Sequence, residues 1–452
     1  MPNKRVAQHR PAYLASLDKF GLVPTLDRIN YMLQQLGHPQ RRYPVVHIAG
    51  TNGKGSTARY ISQVLQEAGL NTGLFTSPHL ERYNERIVVG GREITDNDLT
   101  ALIEQLKPLA ERTAAKVGHP TEFEMSTALA FVYFASFPVD IAVIEVGMGG
   151  LWDSTNVVDP LVSVISTIGL DHQERLGKTL PEIAAQKAGI IKAGRPVVLA
   201  PQVDAALNVV LATAADQQSP VYHLVSDEYP CTQAIAHTDI HFTAHHWGKQ
   251  GGCFSVSGPN WGWQNLCVQL LGKHQINNGA LAAATCHELI QIGLPIKEEH
   301  VRAGLYAASW PGRLELMQVN PTLLLDGAHN AEGAKVLAAA LNDLFGQQRV
   351  VMVIGALADK PIRHELEILL PHVAEVVCTA PKEGRTPPLV ATTLAEVVHD
   401  VACTFGRNDL PISVQPQAAI AVRQALAQAS ENDVVCVCGS LHLVGEVRAS
   451  LQ

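Results

Sequence analysis

The stretch His47-Ile48-Ala49-Gly50-Thr51-Asn52-Gly53-Lys54-Gly55-Ser56-Thr57 decides how the chain is read. The apolar run 45–49 reads as a strand, and residues 56–68 read as a helix that follows a glycine-rich turn. Glycines let backbone N–H groups approach phosphate oxygens, and the helix N-terminus adds positive potential. Lys54 supplies a mobile point charge for outer phosphates. The spacing departs from G-x-x-x-x-G-K-[ST]: Ile48 stands at the first glycine and Gly55 at the hydroxyl. On this segment alone, a tight glycine turn with an exposed lysine remains open.

Outward from this stretch, strands and helices alternate almost throughout, which predicts an α/β fold with mainly parallel sheets. Residues 140–146 and 161–168 read as buried strands, and 179–192 as a helix with Ile183, Ala184 and Lys187 at helical spacing. Between 231 and 271 glycine, histidine and tryptophan accumulate and period-2 patterns appear, so a small antiparallel β insertion is expected. A helix over 278–292 follows. A second α/β run then predicts strands at 322–325, 350–355, 375–379 and 434–438, and helices at 332–344, 362–370, 391–401 and 418–429. The expected division is an N-terminal unit, 1–295, and a C-terminal Rossmann-like unit, 296–452.

The chain has 452 residues, 47% of them hydrophobic and 17% charged, which excludes a largely disordered protein. Lys+Arg 34 against Asp+Glu 42 leaves a formal charge of -8, so there is no basic footprint for nucleic acid. No h-region follows the N-terminus, and the most apolar long stretch, 197–215, is broken by Pro201, Asp204 and Asn208. The eight cysteines form no C-x-x-C pair. They are read as reduced thiols of a cytoplasmic protein without membrane or nucleic-acid partners.

Several residues are open to two readings. Glu145 ends a buried strand, where ligands collect in α/β sheets, but could equally be half of a structural ion pair. Ser77 precedes a proline and reads as a plain turn serine. His172 reads as a hydrogen-bonded core histidine. Lys187, on an apolar helix, reads as a snorkelling or acid-paired lysine. Arg313 could cover a domain interface, and Asp326 could cap a helix. His237, His241, His245 and His246 lack the spacings of a zinc site. They are assigned to the solvated insertion, with Trp247, Trp261 and Trp263 as its packing.

The G-T-N-G-K-G-S loop resembles that of the Mur ligase superfamily, and the chain is most similar to its folylpolyglutamate synthase/dihydrofolate synthase branch. Further matches, in order, are Thr76-Ser77-Pro78-His79-Leu80, Glu85-Arg86-Ile87, Phe123-Glu124, Glu145-Val146-Gly147-Met148-Gly149-Gly150, Asp171-His172, Leu176-Gly177, Lys187-Ala188-Gly189-Ile190, Pro311-Gly312-Arg313 and Asp326-Gly327-Ala328-His329-Asn330. The first and third of these favour the folate branch over cell-wall ligases. A nucleotide-binding regulatory protein without turnover is disfavoured by the candidate ligands at Lys54, Glu145 and His172.

The resemblance implies a Mur-ligase-like P-loop ATPase domain with a β insertion, followed by a Rossmann-like domain. It implies an ATP-dependent amide ligase that adds L-glutamate to dihydropteroate and to folyl-glutamates through an acyl phosphate. Gly53, Lys54, Gly55, Ser56, Asn278, Arg313 and Asp326 would contact ATP. Ser77, Glu145 and His172 would serve two Mg²⁺ sites. Lys187 would carry an N6-carboxylate, reasonable for a desolvated lysine whose neutral amine adds carbon dioxide. Phe123, Glu124 and Asp153 would contact the pterin, with an aromatic ring to stack and carboxylates to accept N–H groups. The partners would be these small molecules, and the protein a monomer. Departures are Gln186 for Glu, Ala331 for Pro, Leu151 for Arg, and, in Gly21-Leu22-Val23-Pro24-Thr25-Leu26-Asp27, the lack of the acidic residue that some bifunctional members place before the Leu. Leu151 and the last leave the ligase core intact but bear on substrate choice.

Overall fold

Val45–Ala49 is buried along its whole length and pairs in parallel with Ile141–Glu145 on one side and Val162–Ile165 on the other. It is an interior strand of an eleven-stranded sheet in the computed structural model, which describes residues 11–17, 24–228, 238–346, 348–358, 362–382, 384 and 386–451. From one edge the order is Trp261–Val268, Gly251–Gly258, Thr238–Gly248, Val221–Val225, Val197–Leu199, Val162–Ile165, Val45–Ala49, Ile141–Glu145, Thr72–Phe75, Ile87–Val89 and Arg92–Glu93. The middle strands are parallel, and each end finishes in antiparallel pairs.

Both faces are covered, as a parallel sheet requires. Val46, Ile48 and Val143 point to one core, shared with helices Lys54–Glu67 and Lys273–Gln291. Val45, Ala142 and Ile144 point to the other, under helices Asp96–Val117 and Glu122–Ser136. This is the period-2 alternation of a strand buried on both sides. Helices Leu180–Ala188 and Asp204–Asp216 cover the neighbouring part of the sheet.

The expected insertion is three antiparallel strands that extend this sheet rather than stand apart from it. Ile240, Phe242, Phe254, Val256 and Leu266 turn inward. Trp261 stacks on His287 at 4.0 Å and lies 4.9 Å from Trp263, so these two rings pack as expected. His237, Cys231 and residues 21–23 of the N-terminal motif lie outside the described residues. The thiol reading needs a correction: Cys253 and Cys267 form a disulfide. They stand directly opposite in adjacent antiparallel strands, where side chains share a face. Their spacing in sequence does not reveal that register. Cys286, Cys378, Cys403, Cys436 and Cys438 are free thiols.

The second sheet has the order Glu315–Val319, Thr322–Leu325, Val434–Cys438, Val350–Ile354, Glu375–Ala380 and Ile412–Gln417. Only the first strand is antiparallel to its neighbour. Helices on both faces make it a doubly wound, Rossmann-like layer. The first core runs past the division expected after residue 295. Helix Glu298–Ala307 contributes Val301 and Leu305 to it, and a Cβ at Gly304 would lie 2.4 Å from Val64 Cα. The chain enters the second sheet only at Glu315.

Candidate active site

The glycine-rich turn leaves the carboxyl end of Val45–Ala49 and enters helix Lys54–Glu67. Two glycines are demanded by close approach. A Cβ at Gly50 would lie 1.8 Å from Ser166 Oγ, and Gly53 has φ +87° with Asn278 Oδ1 2.4 Å from its would-be Cβ. The loop is braced by the segment after Val162–Ile165. The Thr51 N–H donates to the Thr167 carbonyl at 2.8 Å, and Ser166 Oγ donates to the Asn52 carbonyl at 2.7 Å. Gln275 Nε2 donates to Ser56 Oγ at 3.3 Å, and Ser56 is buried against helix Lys273–Gln291.

Two amines converge on this loop. Lys54 Nζ donates to the carbonyls of Gly50 at 3.2 Å and Thr51 at 3.0 Å. Lys187 Nζ donates to the same Gly50 carbonyl at 2.6 Å and is buried. Burial, and secondarily the Lys54 charge, lower the Lys187 pKa to about 7.

Glu145 ends strand Ile141–Glu145 in register with Ile48, just before the loop. It is 4% exposed. Among the described residues it accepts one hydrogen bond, from the Ser77 N–H at 3.0 Å. Burial raises its pKa, while the Lys54 charge, the Ser77 bond and the Arg313 charge oppose that. A buried carboxylate without a cation in contact is costly, and its environment suits a bound cation. Ser77 and Glu145 thus come together. His172 stands at the start of the short helix Gln173–Leu176, in a left-handed conformation with φ 49° beside Asp171. Among the described residues, no three His, Cys, Asp or Glu side chains cluster as a ready-made metal cage. Mg²⁺, which keeps several waters and takes one or two carboxylates plus phosphates, needs no such cage.

The second unit closes the site. Arg313 makes no hydrogen bond or contact ion pair among the described residues, and its charge acts on Glu145, Asp326 and His274. Asp326 is buried, and its oxygens accept the N–H groups of Leu314 and Ala328, both at 2.9 Å. It therefore fixes the backbone beside Arg313. Asn278 bonds Gln275 at 3.1 Å and abuts the loop.

The pterin candidates behave differently. The Phe123 ring packs on Gly147, whose would-be Cβ lies 2.4 Å from it, beside Phe75. Glu124 is turned into the fold instead of toward a substrate. It accepts Arg28 Nε on both oxygens at 3.0 Å and closes a capping box with Thr121. Asp153 is also committed internally, accepting from Met148 N at 2.9 Å and Thr155 N at 3.0 Å. It orders the loop 147–153 and does not offer a free carboxylate.

Three contributors were not singled out from sequence. The Trp310 indole lies 3.2 Å from a would-be Gly55 Cβ, over the loop. Asn330 Nδ2 donates across the units to Asp171 Oδ2 at 3.1 Å. Gln275 holds Ser56 and Asn278. Trp310 adjoins the Pro311-Gly312-Arg313 motif and Asn330 ends the Asp326–Asn330 motif, and those placements are the available signal.

Residues 48–286 match the model of the Mur ligase middle domain, and residues 312–441 match that of the Mur ligase glutamate ligase domain. The dihydrofolate synthase/folylpolyglutamate synthase of Bacillus subtilis is 37% identical over 448 residues, covering 96% of each chain. The chain belongs to this family of Mur ligases. Family members are ATP-dependent ligases, and that class of enzyme is assigned to this chain. Among solved structures, Mycobacterium tuberculosis folylpolyglutamate synthase, complexed with ADP and AMPPCP, has TM-score 0.84 and 32% identity over 96% of both chains. The bifunctional folylpolyglutamate synthase/dihydrofolate synthase of Yersinia pestis, complexed with AMPPNP and Mn ion, has TM-score 0.81 and 30% identity, covering 97% of this chain and 96% of that one. This Mur ligase keeps Lys54, Glu145 and Lys187 around one loop and brings Arg313 to them from the second unit.

Proposed function

We propose that this Mur ligase joins L-glutamate to the carboxylate of dihydropteroate and to the γ-carboxylate of folyl-glutamates, using ATP. The observation that carries the reading is the buried Glu145, which among the described residues has no cationic side chain in contact, facing a glycine loop on which Lys54 and Lys187 converge. ATP fits the loop 50–56, with its phosphates on the backbone and Lys54, and with Asn278, Arg313 and Asp326 closing over the nucleotide. Nucleotide and Mn in the solved relatives support that assignment. Ser77, Glu145 and His172 would hold Mg²⁺, which supplies charge neutralisation between phosphates and the substrate carboxylate.

The residues of the chain then do the following. Lys54 and Arg313 orient the γ-phosphate for in-line attack and spread its developing charge. The substrate carboxylate oxygen bonds to the γ-phosphorus, and the bond to ADP breaks. The glutamate amine, having lost a proton to solvent, attacks the acyl carbon; the C–N bond forms and phosphate leaves. The lowered pKa of Lys187 supports an N6-carboxylate there, an anion that would reverse the local charge beside the metal site. Phe123 is the aromatic face for the pterin. The soluble substrates suit a cytoplasmic monomer; among the described residues no helix is long and apolar enough to cross a membrane.

A narrower reading, folate polyglutamylation alone, draws on the substrate side: Leu151 replaces the usual arginine, and Glu124 and Asp153 are held internally. Parallel assays with dihydropteroate and with tetrahydrofolate decide between them. Amide product from both supports the bifunctional reading, and product from the second alone supports the narrower one.

A further inference from the structure

The loop that carries Ser77 is gripped from the second unit. Its following residues meet helix Leu441–Leu451 backbone to backbone, because a Cβ at Gly445 would lie 1.9 Å from the Leu80 carbonyl oxygen. The Leu80 side chain packs against the core containing Leu443 and Val444, and a Cβ at Gly312 would lie 2.9 Å from it. Arg448 is the polar part of the same contact. Its Nη1 donates to Glu81 of the first unit, and its Nε donates to both oxygens of Glu315 at 2.9 and 3.0 Å. Glu315 in turn accepts the Gly312 N–H at 2.7 Å, next to Arg313. The three charged side chains are only 12–20% exposed.

Arg448 thus lies between two carboxylates that belong to different units. Remove the guanidinium and Glu81 and Glu315 face each other as like charges across the interface, which favours separation. A planar guanidinium can serve both carboxylates at once, whereas a lysine ammonium is a single point charge.

We propose that Arg448 is a positioning residue for the ligation reaction: by joining Glu81 to Glu315 it sets the Ser77 loop and the Arg313 linker in one arrangement. It touches no substrate and acts through its two partners. The inference rests on reading the site as that of the folate ligase. A misplacement of about 1 Å in such a site costs about a hundredfold in rate, so a partly screened contact is assigned a loss of about tenfold or more.

The test uses the full chain and the variants Arg448→Ala, Arg448→Lys, Glu81→Gln and the double variant Glu81→Gln/Arg448→Ala. Steady-state ligation and thermal melting are measured on each. The expected result is a kcat about tenfold or more lower in Arg448→Ala, with partial recovery in Arg448→Lys. Glu81→Gln should raise the activity of Arg448→Ala, because it removes one of the two repelling charges. A merely structural arginine would not give that relief. Parental kcat in Arg448→Ala overturns the inference, as does a loss that tracks melting temperature and is not relieved by Glu81→Gln. Should Arg448→Ala not fold, parental kcat in both Arg448→Lys and Glu81→Gln overturns it. An inactive parent overturns the ligase reading itself, whereas an active parent with unaffected variants overturns this inference alone.

Discussion

Lys187 Nζ donates to the Gly50 carbonyl at 2.6 Å, joining the buried face of helix Leu180–Ala188 to the first residue of the phosphate loop across 137 positions of sequence. The contact places an amine with a pKa lowered to about 7 beside a loop built for anions. Lys187→Ala is expected to cost most of the ligase activity, and a small carboxylate added to the assay to restore part of it. A high-resolution crystal structure grown without removal of carbon dioxide checks the chemistry. Planar density beyond Nζ supports the carboxylated form, and density ending at Nζ in an active preparation rejects it.

The same pKa has a consequence for stability. The unfolded lysine titrates near 10.5 and the folded one at about 7. Between those values the unfolded state binds more protons, so stability attributable to this group rises with pH across that window. Lys187→Met should lack that rise. Urea midpoints of parent and variant at pH 7 and pH 9.5 measure it.

His47 gives a test at acid pH. It is fully buried, its Nε2 lies 2.9 Å from Thr155 Oγ1, and burial lowers its pKa to about 3 from 6.5. The unfolded state takes the proton first, so this contribution to stability falls as pH drops from about 6.5 toward 3. His47→Gln should unfold with a shallower acid dependence than the parent between pH 6.5 and 4. Equal slopes in denaturant titrations would reject the assignment.

Much of the fold was legible because its strands are short apolar runs bounded by turn residues. Thr322–Leu325 and Val434–Cys438 appear at their expected bounds, and Val350–Ile354 within a residue. Lys54–Glu67 starts two residues earlier than expected, since glycines and a lysine hide a helix start that the phosphate loop creates. What pattern could not supply was pairing across distance. The Cys253–Cys267 register, the Arg28–Glu124 ion pair and the Trp310–Gly55 contact each join segments whose separation in sequence carries no periodic signal. Glu124 shows the cost most plainly. Its place three residues after Thr121 is also a capping-box spacing, and the fold uses it as such.

The disulfide offers a direct check on that correction. Alkylation without reductant should leave Cys253 and Cys267 unlabelled in the folded protein, and reduction should label both. A cross-link closing a loop of this size contributes about 3 kcal/mol, so reductant should lower the denaturant midpoint. Full labelling before reduction would contradict the bond.

Glu145→Gln keeps the shape of the side chain and removes the charge that suits a cation. Its activity should fall by orders of magnitude at any Mg²⁺ concentration, with the fold intact by circular dichroism. A variant that responds to Mg²⁺ as the parent does would remove Glu145 from the metal site.

In the proposed function, the loop 50–56 drives glutamate ligation to a pterin carboxylate. The most direct measurement follows ADP and the amide product together, by mass spectrometry, with ATP, Mg²⁺, L-glutamate and either dihydropteroate or tetrahydrofolate. The expected result is equal amounts of ADP and glutamylated product, dependence on glutamate, and loss of both in a folded Lys54→Ala variant. ATP turnover without amide product, or undiminished ligation in Lys54→Ala, would contradict it.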